Sequence, residues 1–276
     1  MTASLLLCAL LAARHAQPDL DPQPFGILDN SFLVEEAFNQ ETRIFQNITQ
    51  WVRQRHGDWQ LTFTQEWPAP TMRHQLSYTI PVNATEGRHA VADVLVNYRL
   101  QVLEEGPGRP AFAPRVSAQV PTGDPETGGG DGGLQVNLPF SKRRSDFYFH
   151  WNAGFTWLPS RSHRDLLSPA LAGSAIYRLT RMCNLMLESV LLYQDDEVSG
   201  GATQRTRSFT LSPGVRGGWN IAPEKQIVIG AAVPVTFTRG TRSAGILGYF
   251  SYELAFKKER PRNMTRRTSA SPTHAR

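Results

Sequence analysis

The chain has 276 residues, with 29 Lys plus Arg against 24 Asp plus Glu, and a formal net charge of +5. Its 10% aromatic content excludes a disordered chain, 22 Gly and 19 Pro exclude a coiled coil, and past the N-terminus no apolar run reaches the roughly 18 residues of a membrane-spanning helix. The charge is local: the stretch after Phe256 carries +6 and the rest of the chain −1, and that tail has no aromatic residue to stack a base, so a nucleic-acid partner is not expected.

Taken in chain order, Ser4 to Ala13 reads SLLLCALLAA, the length of a secretory h-region. Residues 1–16 are therefore expected to form a signal peptide. It is atypical, because no Lys or Arg precedes the apolar run. Residues 17–30 then form a periplasmic N-terminal segment. Cys183 is the one cysteine left after removal of the signal, so no disulfide framework is available. An exported chain without disulfides fits the bacterial cell envelope.

From residue 31 to 256 the dominant pattern has period two. Phe147, Phe149, Trp151, Ala153, Phe155 and Trp157 alternate with Tyr148, His150, Asn152, Gly154 and Thr156. Ile227, Ile229, Ala231, Val233, Val235 and Phe237 follow the same rule. Twelve such segments are predicted, near 31–40, 59–67, 73–82, 91–103, 111–121, 133–140, 146–158, 169–180, 182–194, 206–219, 225–237 and 244–256. Most are longer than the five or six residues usual in soluble sheets and match the roughly 9 to 11 of a tilted membrane strand. The predicted fold is all-β, a transmembrane antiparallel up-and-down β-barrel of about 12 strands (10 to 14), in the bacterial outer membrane. The competing architecture is a soluble sandwich whose apolar faces meet each other. Two features favour the barrel. Predicted connections alternate long and short, and aromatic residues such as Trp59, Trp67, Trp157 and Trp219 sit near strand ends, as membrane girdles do. Residues 257–276 are left as a basic, disordered tail.

One stretch breaks the period. Ile44, Ile48, Trp51 and Val52 fall at helical spacing. They predict a short amphipathic helix in the first outer loop, constricting the lumen, lying on the membrane surface or packed on the rim.

If the apolar faces meet lipid, the polar faces line a lumen. Its expected charged residues are Glu66, Asp93, Glu188 and Glu253 against Arg99, Arg115, Arg178 and Arg216, with His150 among them. Such walls can select solutes by charge, or the charges can pair across strands. Outer-membrane lipid, the barrel-assembly machinery and an unknown small solute are the expected partners, with the oligomeric state open. No cofactor is expected. The Gly-rich loop 121–133 lacks Gly-Lys-Ser/Thr, and its Asp124, Glu126 and Asp131 lack the spacing of a helix-loop-helix calcium site. For catalysis the sequence offers only His150 with Asn152, and Ser174 as a partner of unknown geometry; Gly-x-Ser-x-Gly and His-Glu-x-x-His are absent. A channel for small solutes is the leading function, a structural or adhesive barrel the alternative, and an outer-membrane hydrolase the third.

The last predicted strand places Phe250, Tyr252, Leu254 and Phe256 in alternation. It resembles the C-terminal assembly signal of bacterial outer-membrane barrels, although twenty residues follow it here. Over roughly 30–256 the chain also resembles the transporter-like outer-membrane family named for the meta-pathway of phenol degradation. The residues carrying that likeness are Phe63–Trp67 (FTQEW), His74–Tyr78 (HQLSY), Ala113–Ser117 (APRVS), Pro121–Asp124 (PTGD), Gly133–Pro139 (GLQVNLP) and His150–Gly154 (HWNAG). The resemblance implies an outer-membrane barrel with a transport role and no defined substrate.

Overall fold

The structure is a computed structural model that describes residues 26–27, 29–55, 57–85, 87–124, 132–159, 164–198, 202–222 and 225–255. The signal segment 1–16, Phe256 and the tail 257–276 lie outside the described residues. The strands in chain order are β1 (Ile44–Gln54), β2 (Trp59–Pro68), β3 (His74–Thr85), β4 (Arg88–Val91), β5 (Val94–Leu100), β6 (Ala111–Phe112), β7 (Arg115–Val120) and β8 (Gly133–Arg144). They continue as β9 (Phe147–Leu158), β10 (Leu166–Thr180), β11 (Cys183–Val198), β12 (Ala202–Ala222), β13 (Lys225–Ala232), β14 (Val235–Thr238) and β15 (Thr241–Ala255).

All pairings are antiparallel, and each stave of the sheet pairs with the next along the chain until β15 returns to β1. That last ladder runs from Ile44↔Ala255 to Gln54↔Gly245 and closes the sheet. β4 and β5 form one stave broken at Ala92–Asp93, β6 and β7 another broken at Ala113–Pro114, and β13 and β14 a third broken at Val233–Pro234. The result is a closed barrel of twelve staves, with no helix among the described residues. Closure satisfies every stave's backbone within the sheet, which a chain in lipid requires.

Alternation then sorts the side chains. Large apolar residues cover the outside: Leu171, Leu187 and Ile229 are each about half exposed, and Trp157, Trp219 and Phe237 near strand ends are exposed as well. Phe250 and Leu254 of β15 belong to this outer face. An apolar band on a closed, even-stranded barrel is the architecture of an outer-membrane protein. The end carrying the turns 145–146 and 181–182 is taken as periplasmic, because the longer links β7–β8 and β9–β10 lie at the opposite end and outer loops are the longer ones. At the opposite end β11 and β12 extend their ladder out to Val198↔Ala202, so much of the length expected in outer loops is ladder instead. The connection 101–110, on the periplasmic side, is longer than the pattern predicts.

Two expectations are corrected. Ile44, Ile48, Trp51 and Val52 do not form a constriction helix; they belong to β1, where all four pair with β15 and the last three also with β2. Ile44, Ile48 and Val52 are four residues apart, and a spacing of four is even. It places them on one face of a strand as well as of a helix. Trp51, at an odd offset, points outward and is exposed. Residues 31–40 are not the first strand. They make no ladder; the chain from Gly26 to Gln40 lies inside the barrel and reverses into β1 through a turn at Glu41–Arg43, where Arg43 has φ 70°. Phe32 and Val34 alternate in a stretch that bends at residues 32–34 and pairs with no strand; both side chains are buried. The count of twelve survives because β1 takes the place of the misassigned segment.

Candidate functional site: a lumen occupied by the chain's own N-terminal segment

A segment without ladder partners has backbone N–H and C=O groups to satisfy, and inside a barrel the wall's polar side chains can do so. The segment is anchored first at the periplasmic rim, where the Gly26 N–H donates to the Arg181 carbonyl (2.8 Å) and Gln226 Nε2 donates to the Gly26 carbonyl (2.7 Å). Arg216 on β12 donates from Nη1 to the carbonyls of Asp29 (2.7 Å) and Asn30 (2.8 Å), and from Nε to Asn184 Oδ1 (3.2 Å). The Asp29 carboxylate accepts from Gln46 Nε2 (2.6 Å), the Tyr249 hydroxyl (2.6 Å) and the Ser251 hydroxyl. Glu188 Oε1 on β11 accepts the N–H groups of Leu33 (2.8 Å) and Val34 (3.1 Å). Asn152 on β9 acts as a substitute strand for Glu35: its Oδ1 accepts the Glu35 N–H and its Nδ2 donates to the Glu35 carbonyl, both at 2.8 Å. Ser141 Oγ accepts the Ala37 N–H (2.8 Å), and Gln75 Oε1 accepts the Gln40 N–H (2.7 Å).

The Glu35 side chain is held as firmly as its backbone. Oε1 accepts from Arg99 Nε (3.0 Å) and Nη2 (2.5 Å). Oε2 pairs with Arg115 Nε at 2.9 Å and accepts from Asn137 Nδ2 at 2.6 Å. Arg99 also donates to the Phe38 carbonyl (2.5 Å).

Apolar contacts complete the seat. Ile27 and Phe32 pack with Ile48, Ile176, Met186, Val228, Leu247 and Tyr249, all from the inner wall. Phe32 and Tyr249 rings lie 5.0 Å apart. Gly214 and Gly230 make room for the Phe32 ring, since a Cβ on either would run into it. Replacing Gly230 by Val is therefore expected to weaken docking of the segment by about 1–3 kcal/mol, the usual cost of overpacking. Faster amide exchange at residues 31–35, with the β-ladder unchanged, would register it. Unchanged exchange would mean that Phe32 is not held by this wall.

The segment divides the interior. On the outer side lies a cavity of about 580 Å³ with Leu33 among its lining, together with Gln50, Gln54, Gln60, Asn83, Thr210 and Thr236. On the periplasmic side lies one of about 920 Å³, lined by Glu36, Glu41, Glu253, Lys142, Arg143 and Arg181 among others.

The nine charged or titratable residues expected on the lumen wall fall into distinct places. Arg99, Arg115, Glu188 and Arg216 touch the segment directly. Glu66 accepts from Gln75 Nε2 (2.8 Å) and His150 Nδ1 lies 2.6 Å from Ser141 Oγ, so both stand one residue behind it. Glu253 lines the periplasmic cavity. Asp93 accepts from Gln119 (3.0 Å) and the Gly123 N–H (2.9 Å), and Arg178 pairs with Asp146 at 2.5 Å in a turn, both away from the segment. The suspected catalytic group does not assemble: Asn152 is taken by Glu35, and Ser174 lies across from His150 in register but pairs with Ser31 at 3.0 Å. In the loop 121–133, Asp124 accepts the Val91 N–H (3.0 Å), while Glu126 and Asp131 lie outside the described residues. Sequence reading missed Asp29, Glu35, Gln75, Asn137 and Ser141. The signal that could have found the seat is the apolar set Ile176, Met186, Val228 and Leu247 on the otherwise polar wall face.

Among solved structures, an outer membrane channel from Pseudomonas putida F1 is similar to the chain at 9% identity, covering 79% of this chain and 97% of that one, with a TM-score of 0.58. The NanC porin is a looser likeness, at 11% identity, 76% and 100% coverage and a TM-score of 0.43. No curated protein matches the sequence. The match over residues 25–252 takes in both the barrel and its lumenal segment, and by it the chain belongs to the family described as "Putative MetA-pathway of phenol degradation".

Proposed function

We propose that the protein is an outer-membrane channel that passes small solutes through its lumen, with residues 26–40 as the barrier that shifts to let them pass. The observation that carries this reading is the pair of cavities, one open toward each end of the barrel and separated by a single non-ladder segment. A wall stave cannot leave without breaking a ladder; this segment can, because side chains hold it. The likeness in fold to an outer membrane channel supports the same reading. Transport is favoured over hydrolysis because His150, Asn152 and Ser174 face the segment's contacts instead of one another.

Purified protein in planar bilayers is expected to show discrete conductance steps, and liposomes carrying it to swell in small sugars or amino acids. A barrel that stays silent, both intact and with the segment loosened, would remove the channel reading and leave a structural role. Lipid hydrolysis abolished by His150→Ala would replace it with an enzyme.

A further inference from the structure

We infer that the solutes this channel favours carry a carboxylate, and that the subsite for it is the one Glu35 now fills, formed by Arg99, Arg115 and Asn137. This rests on the channel reading and deepens it.

The segment serves as a bound ligand whose chemistry can be read. Both oxygens of one carboxylate are occupied, Oε1 by Arg99 at 3.0 and 2.5 Å and Oε2 by Arg115 at 2.9 Å and Asn137 at 2.6 Å. Arg99 donates twice to one oxygen, while Asn137 donates to the other and Arg115 pairs with it as an ion, a set that suits an anionic carboxylate and not a neutral hydroxyl or an ammonium. The fork outlasts the segment. Arg115 is fixed independently by Asn97 Oδ1 (3.1 Å) and Gln135 Oε1 (2.8 Å), both on the wall. Arg99 is 3% exposed and its hydrogen bonds run to the segment, to Glu35 and Phe38. When the segment leaves, that guanidinium loses its carboxylate, a cost that a carboxylate solute offsets and a neutral solute does not.

The wider charge balance points the same way. The wall's four acids and four arginines look neutral by count. Withdrawal of the segment, however, takes the carboxylates of Asp29, Glu35 and Glu36 out of the lumen and leaves Arg99 and Arg115, register partners on neighbouring strands, without Glu35. A carboxylate solute can therefore compete with Glu35 for that site and hold it open.

The test uses the full chain and benzoate as probe, with benzamide as the neutral control of the same shape. In wild-type protein, benzoate is expected to raise open-channel activity and benzamide to leave it unchanged. In Glu35→Gln, and in Glu35→Ala should the first fold poorly, the reversal potential in a salt gradient should move toward the chloride value. Benzoate should then raise the unfolding temperature in a saturable way. Adding Arg115→Gln should weaken that benzoate effect by about tenfold or more, the scale of one charge-assisted contact. Equal responses to benzoate and benzamide, a cation-preferring open pore, or a benzoate effect indifferent to Arg115→Gln would each overturn the inference while leaving a conducting channel intact. A silent barrel that still binds benzoate through Arg115 would overturn the channel reading and keep the carboxylate site.

Discussion

Removal of residues 26–40 is expected to raise single-channel conductance on the order of tenfold while the barrel stays folded. The reason is geometric. Eight-stranded barrels are filled by their own side chains, and 16-stranded ones leave an aqueous channel. Twelve staves leave a bore that the wall does not fill, and here the segment fills it with Ile27, Phe32, Val34 and Glu35. The ladders from β1 round to β15 do not involve the segment, so heat-modifiable gel mobility should persist. The unfolding temperature should fall, since Ile27, Phe32 and Val34 are fully or almost fully buried and each such side chain contributes about 1.5–3 kcal/mol. Conductance equal to that of the intact protein would mean that solutes bypass the segment.

The second large effect concerns Arg216, which is 1% exposed and clamps two successive carbonyls of the segment. Replacing it with Leu removes both bonds. At about 1.5 kcal/mol or more for each bond to a charged group, docking should weaken by roughly 3 kcal/mol, or about a hundredfold in the undocked population. Amide exchange at residues 29–34 should accelerate accordingly, while residues 37–40, tied through Ser141 and Gln75, should respond less. Lys at the same position should recover only part of the loss, because an ammonium can take the place of Nη1 on the two carbonyls but not also that of Nε on Asn184. Exchange indistinguishable from wild type would show that the carbonyl clamp carries no weight.

The barrel itself was legible in the sequence, because lipid outside and water inside impose one rule on every stave. The alternation of Phe147 to Trp157 or Ile227 to Phe237 needs no knowledge of neighbours. The charged wall residues were found by the same rule, since the polar face of a stave is the face that alternation leaves over. What escaped is the occupant. Glu35 and Asp29 are ordinary acids in an irregular stretch, and nothing local says that Arg99 and Arg115, or Tyr249 and Ser251, will close round them from strands far along the chain. The first strand escaped for a different reason: Ile44, Ile48 and Val52 satisfy helix and strand periods alike, while Phe32 and Val34 imitate a strand without a partner. Ile176, Met186 and Leu247 are the residues that could have corrected this, because apolar side chains facing a water-filled bore would have no partner. Their presence requires something apolar inside.

Asp29 has one further consequence, for the order in which the molecule is made. Its carboxylate is gripped from β1 by Gln46 and from β15 by Tyr249 and Ser251, the first and the last strands, which pair Gln46 with Glu253 across the seam. The segment precedes every stave in the chain, yet two of the three side chains that hold Asp29 belong to the final strand. It can dock at this point only once that strand is in place, and it then acts as a clasp across a seam that the β1–β15 ladder itself closes.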